Sequence, residues 1–80
     1  MTSVSLRIRQ ITSRVPFRGG TFIATLEQEG GDYLTLGTTR GHDTWAAAAA
    51  AALRLADARD YIVFHRPLIE RRIAKDGVDK

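Results

Sequence analysis

The stretch DTWAAAAAAALRLADARDYIV, residues 43–63, contains the strongest structural signal in the chain. Its seven consecutive alanines, 46–52, are the residue with the highest helix propensity, because alanine loses no side-chain entropy in a helix. Asp43 or Thr44 can serve as the N-cap, since either side chain offers an oxygen to an unpaired backbone N–H of the first turn. We therefore predict a helix over about 44–58.

One face of this predicted helix consists mostly of methyl groups. Six residues share it at helical spacing: Trp45, Ala48, Ala49, Ala52, Leu53 and Ala56. Small side chains allow a helix to lie close to a sheet, and we expect Trp45 to anchor the first turn in the core. Arg54 falls on the opposite, solvent-facing side.

The residues before this stretch predict three antiparallel strands. Val4, Leu6 and Ile8 alternate with polar residues, and this period of two is typical of a half-buried strand over about 3–11. Thr21 to Glu29 is rich in β-forming residues and predicts a second strand. The turn Gly30-Gly31-Asp32 would then lead into a third strand over Tyr33 to Thr38, and Gly41-His42 would end the sheet segment.

The residues after the helix predict a fourth strand and a short second helix. Tyr61 to Arg66 begins with four residues of high β propensity, and Pro67 would stop a central ladder. Ile69 and Ile73, four residues apart, favour a short helix over Leu68 to Lys75. The fold class predicted for residues 1–80 is a single α+β domain. It has an antiparallel three- to four-stranded sheet, one alanine-rich helix packed on one face, and the order β-β-β-α-β with a short C-terminal α.

Composition excludes several classes of protein. The chain has 80 residues and no cysteine, which excludes a disulfide-stapled miniprotein, a cysteine-ligated zinc site and thiol catalysis. No apolar run reaches 18 residues, and residues 1–20 lack the apolar core of a signal peptide. These features predict a cytoplasmic protein that does not enter a membrane.

Motifs for catalysis and cofactor binding are absent from the sequence. The segment Gly37 to Gly41 resembles a phosphate loop only superficially, because it lacks the lysine and the further glycines. His42 and His65 have no metal-ligand spacing, and Glu27 and Glu29 share one strand face that we interpret as a solvated edge. We therefore predict no enzymatic activity, no catalytic or metal-binding residues and no cofactor.

Arginine dominates the candidate binding residues. The net charge is +3, ten of the twelve cationic residues are arginine, and residues 1–20 contain four arginines and no acid. Arginine pairs with carboxylates and phosphates in a planar, bidentate way, so these residues suit an acidic partner. Arg7 and Arg9 would point the same way from the first strand, about 7 Å apart. The full set of predicted partner-binding residues is Arg7, Arg9, Arg14, Phe17, Arg18, Arg66, Arg71 and Arg72.

Phe17 is included because it is an aromatic residue between Pro16 and Arg18 in a predicted loop, a setting typical of an interface anchor. Each arginine in the predicted set can also be explained as part of a solvated, slightly basic surface.

The segment from Gly31 to Val63 resembles small phage-encoded anti-CRISPR proteins directed at type I systems. The shared pattern is a strand, Gly-x-Asp-x-x-Ala-Ala-Ala-Ala, a long alanine-rich helix and a Tyr-Ile-Val strand. Here it reads Gly41-His42-Asp43-Thr44-Trp45 followed by the alanines, and Tyr61-Ile62-Val63. The turn Arg14-Val15-Pro16 is also similar, whereas the charged tail from Arg66 to Lys80 has no counterpart. The resemblance implies a non-enzymatic inhibitor that binds a Cas subunit of the effector complex and blocks DNA binding or nuclease recruitment.

Two other interpretations stay open. Three strands followed by a helix, with Leu36-Gly37-Thr38 before it, resemble the AP2-type and integrase arm-binding domains, which lay a sheet in the major groove of DNA. In that case Arg7, Arg9 and the alternating Thr21, Ile23 and Thr25 would face nucleic acid. A toxin–antitoxin or host-interaction protein of the same layout is the third interpretation. The positive charge argues against DNA mimicry, and the sequence does not distinguish a monomer from a homodimer.

Overall fold

The computed structural model describes residues 2–11, 21–28 and 34–78, which form four strands and two helices. The elements are β1 (Thr2–Gln10), β2 (Phe22–Gln28), β3 (Thr35–His42), α1 (Trp45–Ala58), β4 (Tyr61–Val63) and α2 (Arg66–Val78). The predicted α+β class, with a sheet and an alanine-rich helix on one face of it, is confirmed.

The sheet has the strand order β3-β2-β1-β4. The pairs β1–β2 and β2–β3 are antiparallel, as the predicted meander requires. The β4 strand instead pairs parallel to β1, with Thr2 opposite Tyr61 and Val4 opposite Val63, so the sheet is mixed rather than antiparallel throughout. The physical reason is the path of the chain. Helix α1 carries it from the end of β3 back across the sheet, and β4 therefore starts at the same end as β1.

The start of α1 follows the sequence closely. Thr44 is its N-cap, and the Thr44 hydroxyl accepts a hydrogen bond of 3.0 Å from the backbone N–H of Ala47. The helix then ends at Ala58, and Asp60 adopts a left-handed conformation with a φ of 57°. This reversal directs the chain from α1 into β4.

The boundary between β4 and α2 differs from the prediction. Strand β4 ends at Val63 rather than Arg66, because His65 has a φ of 56°, which is incompatible with an extended strand. The carbonyl of His65 then accepts the backbone N–H groups of Leu68 and Ile69, so that helix α2 begins at Arg66. Pro67 lies in the first turn, where its missing N–H needs no partner.

Strand β3 also continues past the predicted end, through Gly41 and His42. The pairing with β2 shifts twice, between Phe22 and Ala24 and between Leu26 and Glu27. Such bulges place an extra residue in one strand and bend it. Gly41 has a φ of 79°, which glycine adopts without strain, so it acts inside a strand rather than as a terminator. The predicted turn at 30–32 and Tyr33 lie outside the described residues.

The core lies between α1 and one face of the sheet. The helix contributes Ala48, Ala52, Leu53 and Ala56, and the strands contribute Val4, Ala24, Leu26 and Val63. The predicted helix face is confirmed for Ala48, Ala49, Ala52, Leu53 and Ala56. The close approach is visible at Gly37, where an added Cβ would lie 2.7 Å from Cδ2 of Leu55. Helix α2 packs outside α1, and its Ile69 and Ile73 contact the edge of this core.

Candidate binding surface

The second face of the sheet carries the predicted arginine patch. Val4, Leu6 and Ile8 of β1 face α1, so the alternating residues Arg7 and Arg9 face away from both helices. Cross-strand neighbours share a face, and Thr25 lies opposite Arg7 while Ile23 lies opposite Arg9. Thr38 of β3 lies opposite Thr25, and Ile62 of β4 lies opposite Ser3. We call this surface the open face.

Arg7 takes part in a small polar cluster on the open face. Its Nη1 lies 3.8 Å from Oε1 of Glu27, with the Arg7 side chain 64% exposed and the Glu27 side chain 14% exposed. The Thr25 hydroxyl is 3.3 Å from the carbonyl of Arg7 and 3.5 Å from Oε1 of Glu27. Glu27 is thus a mostly buried counter-ion on a central strand, not the solvated edge residue that its spacing suggested.

Arg9 is exposed and makes no ion pair with any described residue. Its cross-strand neighbour Ile23 is only 8% exposed and is not part of the main core cluster. Both arginines project from the part of β1 that pairs with β2, since the pairing of β1 with β4 covers only Thr2 to Val4. The ladder with β2 therefore holds their backbone in place.

Arg14, Phe17 and Arg18 lie outside the described residues, and their predicted role stays a prediction. The chain leaves the described part at Ile11 and returns at Thr21, where the Ile11 N–H donates a hydrogen bond of 2.9 Å to the Thr21 carbonyl. That point is at the same end of the sheet as Arg9.

Arg66 has a structural partner within the chain. Its Nη1 and Nη2 donate to the two carboxylate oxygens of Asp57 at 2.7 and 2.9 Å, and its Nε lies 3.8 Å from Glu70. The hydrogen bonds from Arg66 hold the pKa of Asp57 below its ordinary value, and the same pair raises the pKa of Arg66. This bidentate pair joins the end of α1 to the start of α2.

Arg72 also has an intramolecular contact. Its guanidinium carbon lies 3.9 Å from the centroid of the Trp45 ring, a cation–π geometry. Trp45 is half-buried, and the core cluster does not include it, so it serves as a platform for α2 rather than as the core anchor that we expected. Arg71 is exposed on α2. The structure therefore does not bring the C-terminal arginines together into one free patch.

The histidines and acids were predicted to form no metal site. No set of three or more metal-ligating side chains is close enough to hold an ion in the described part of the chain. The Nε2 atom of His42 is buried without a hydrogen-bond partner, as is the hydroxyl of Thr39, both in β3. Neither α1 nor α2 combines the length and apolar character needed to cross a membrane.

Comparison with protein-family models, with curated proteins and with solved structures found no match for this chain.

Proposed function

We propose that this chain is a non-enzymatic binding module that recognises an acidic surface of a protein partner through the open face. The observation that carries the proposal is the placement of Arg7 and Arg9 at alternating positions of β1, exposed and aimed away from the core. At these positions β1 is paired with β2, and a backbone held in a sheet loses less entropy on binding than a loop does. Arginine is also enriched among hot-spot residues, which contribute most of the binding free energy of protein interfaces.

A protein partner is favoured over a nucleic acid because of Glu27. This carboxylate shares the open face with Arg7 and lies 3.8 Å from it, so it reduces the positive potential that phosphates would meet. A duplex-binding face gains affinity from several unopposed cations, and here Arg9 has no ion-pair partner among the described residues whereas Arg7 does. A protein surface with alternating donors and acceptors would match such a mixed patch better.

The resemblance of the sequence to anti-CRISPR proteins narrows the partner to a Cas subunit of a type I effector complex. Binding there would block access to target DNA or recruitment of the nuclease. The net charge of +3 supports contact with a protein surface rather than imitation of a DNA duplex.

The test is a pull-down of type I effector complexes, run beside a DNA shift assay on the same preparations. In the variant Arg7→Glu/Arg9→Glu, like charges would face the partner, and we expect binding to fall about a hundredfold or more. Because Arg7→Glu also removes the counter-ion of the mostly buried Glu27, the fold of the variant is checked by circular dichroism before its binding is compared with that of the parent.

The matched control is Arg54→Glu/Lys75→Glu, which changes the net charge equally at exposed residues of α1 and α2. It should retain binding. If the control loses binding and the open-face variant keeps it, the partner contacts the helical side and the proposal is wrong. If the parent instead binds duplex DNA with a steep salt dependence, the DNA-binding interpretation replaces it.

A further inference from the structure

The outer edge of β4 is unpaired among the described strands, and exposed apolar side chains lie in and after this strand. Strand β4 lies at the end of the sheet and pairs with β1 alone among the described strands. The Phe64 N–H donates to the Val4 carbonyl, so Phe64 and, by alternation, Ile62 turn their backbone groups toward β1. The backbone groups of Tyr61 and Val63 therefore point to the uncovered side.

Exposed apolar side chains occur in β4 and in the residues that follow it. Of the large apolar residues that are exposed in the described part, three fall within seven consecutive positions: Ile62 at 49%, Phe64 at 45% and Leu68 at 58%. Ile62 lies on the open face because it pairs with Ser3 of β1. Val63, the residue between Ile62 and Phe64, faces the core. Helix α2 packs on α1, and no described strand pairs with the outer edge of β4.

We propose that a second copy of this chain pairs with β4, antiparallel and about a two-fold axis at Val63, to give a continuous eight-stranded sheet. Val63 then lies opposite Val63 of the other copy, and its outward backbone groups form the central hydrogen-bonded pair. This inference is independent of the proposed function.

The order of side chains around Val63 indicates both that the partner is a second copy of this chain and which residues face each other. With the axis at Val63, Ile62 of each copy lies opposite Phe64 of the other, so the exposed apolar side chains cover one another on the open face. Moving the axis by one residue, to Ile62 or to Phe64, would place at its centre a residue whose backbone groups point toward β1 and not toward the second copy. An unrelated partner strand would not need this matched order of side chains.

The experiment measures mass by sedimentation over a range of concentrations. The parent should reach twice the 8.8 kDa mass of the chain. We expect Ile62→Glu and Phe64→Lys each to weaken association about tenfold or more, because an unpaired charge would lie in an apolar contact. The control Leu34→Glu removes an equally exposed apolar residue at the start of the β3 region and should dimerise as the parent does.

Mixing the two charged variants tests the register itself. In the mixed dimer, Glu at position 62 would face Lys at position 64, and the other contact would be the native Ile62–Phe64 pair. The mixture should therefore recover the dimer that each variant alone has lost. A parent that remains at 8.8 kDa at every concentration, a mixture that stays monomeric, or a Leu34→Glu variant that dissociates equally would each overturn the proposal.

Discussion

The alanine face of α1 sets how closely the helix can approach the sheet, and Ala52→Leu tests this directly. Ala52 is 1% exposed and belongs to the core cluster that includes Val4 and Leu26, both fully buried. Leucine would add three carbon atoms between α1 and the sheet. With free space available, each added carbon would stabilise the fold by about 0.8 kcal/mol.

The structure indicates that this space is missing. Ala48 and Ala56, one turn away on either side of Ala52, are both 0% exposed, so the added atoms would displace neighbours or push the helix outward. Overpacking of this kind reduces the free energy of unfolding by about 1–3 kcal/mol. For a domain of this size, that corresponds to a decrease in Tm of about 4 to 24 °C.

The assay is thermal and urea unfolding followed by circular dichroism. The matched control is Ala47→Leu on the same helix, because Ala47 is exposed and its free energy of unfolding should change by no more than about 0.5 kcal/mol. If Ala52→Leu unfolds at the same temperature as the parent or as Ala47→Leu, the helix does not lie against the sheet as described.

Two further predictions concern the contacts that attach α2 to α1. The pKa of Asp57 is lowered in the folded state, so its contribution to stability is complete above its ordinary value of 3.8 and is lost as the pH falls through the lower folded value. Asp57→Asn should therefore be less stable than the parent near neutral pH, and the difference should disappear in acid; a constant difference in a pH series of urea unfolding would contradict this. Trp45 is the single tryptophan, so its fluorescence reports on the contact with Arg72. Arg72→Gln should shift the emission to longer wavelength because the ring becomes more exposed to water, whereas Arg71→Gln should not. Equal spectra for the two variants would show that Arg72 does not cover the ring.

The features of the fold that depend on residues close together in the sequence could be predicted from the sequence. The cap at Thr44, the limits of α1 and the buried alanine face all follow from propensity and period. The parallel pairing of β4 could not be predicted, because it depends on the end of the sheet to which α1 returns the chain. Gly41 was misleading for a related reason. Its positive φ suits a bulge inside β3 as well as a turn that ends it.

In the candidate site, too, the local pattern could be predicted and the contacts between distant residues could not. Alternation along β1 predicts that Arg7 and Arg9 share a face, and the register confirms that they do. The contacts of Arg66 with Asp57 and of Arg72 with Trp45 join residues 9 and 27 positions apart, and no local pattern indicates them. The sequence alone therefore does not distinguish an arginine that binds a partner from one that holds two helices of the same chain together.

The pairing of β4 with β1 has a consequence for how the chain is made. Residues 2–4 are synthesised well before residues 61–63, with which they pair in the sheet. Until residues 61–63 are made, this edge of residues 2–4 stays unpaired, and an unpaired strand edge is a template for association with other nascent chains. The nascent protein is therefore most vulnerable to aggregation in the interval before β4 arrives, and a product truncated after α1 would keep that open edge permanently.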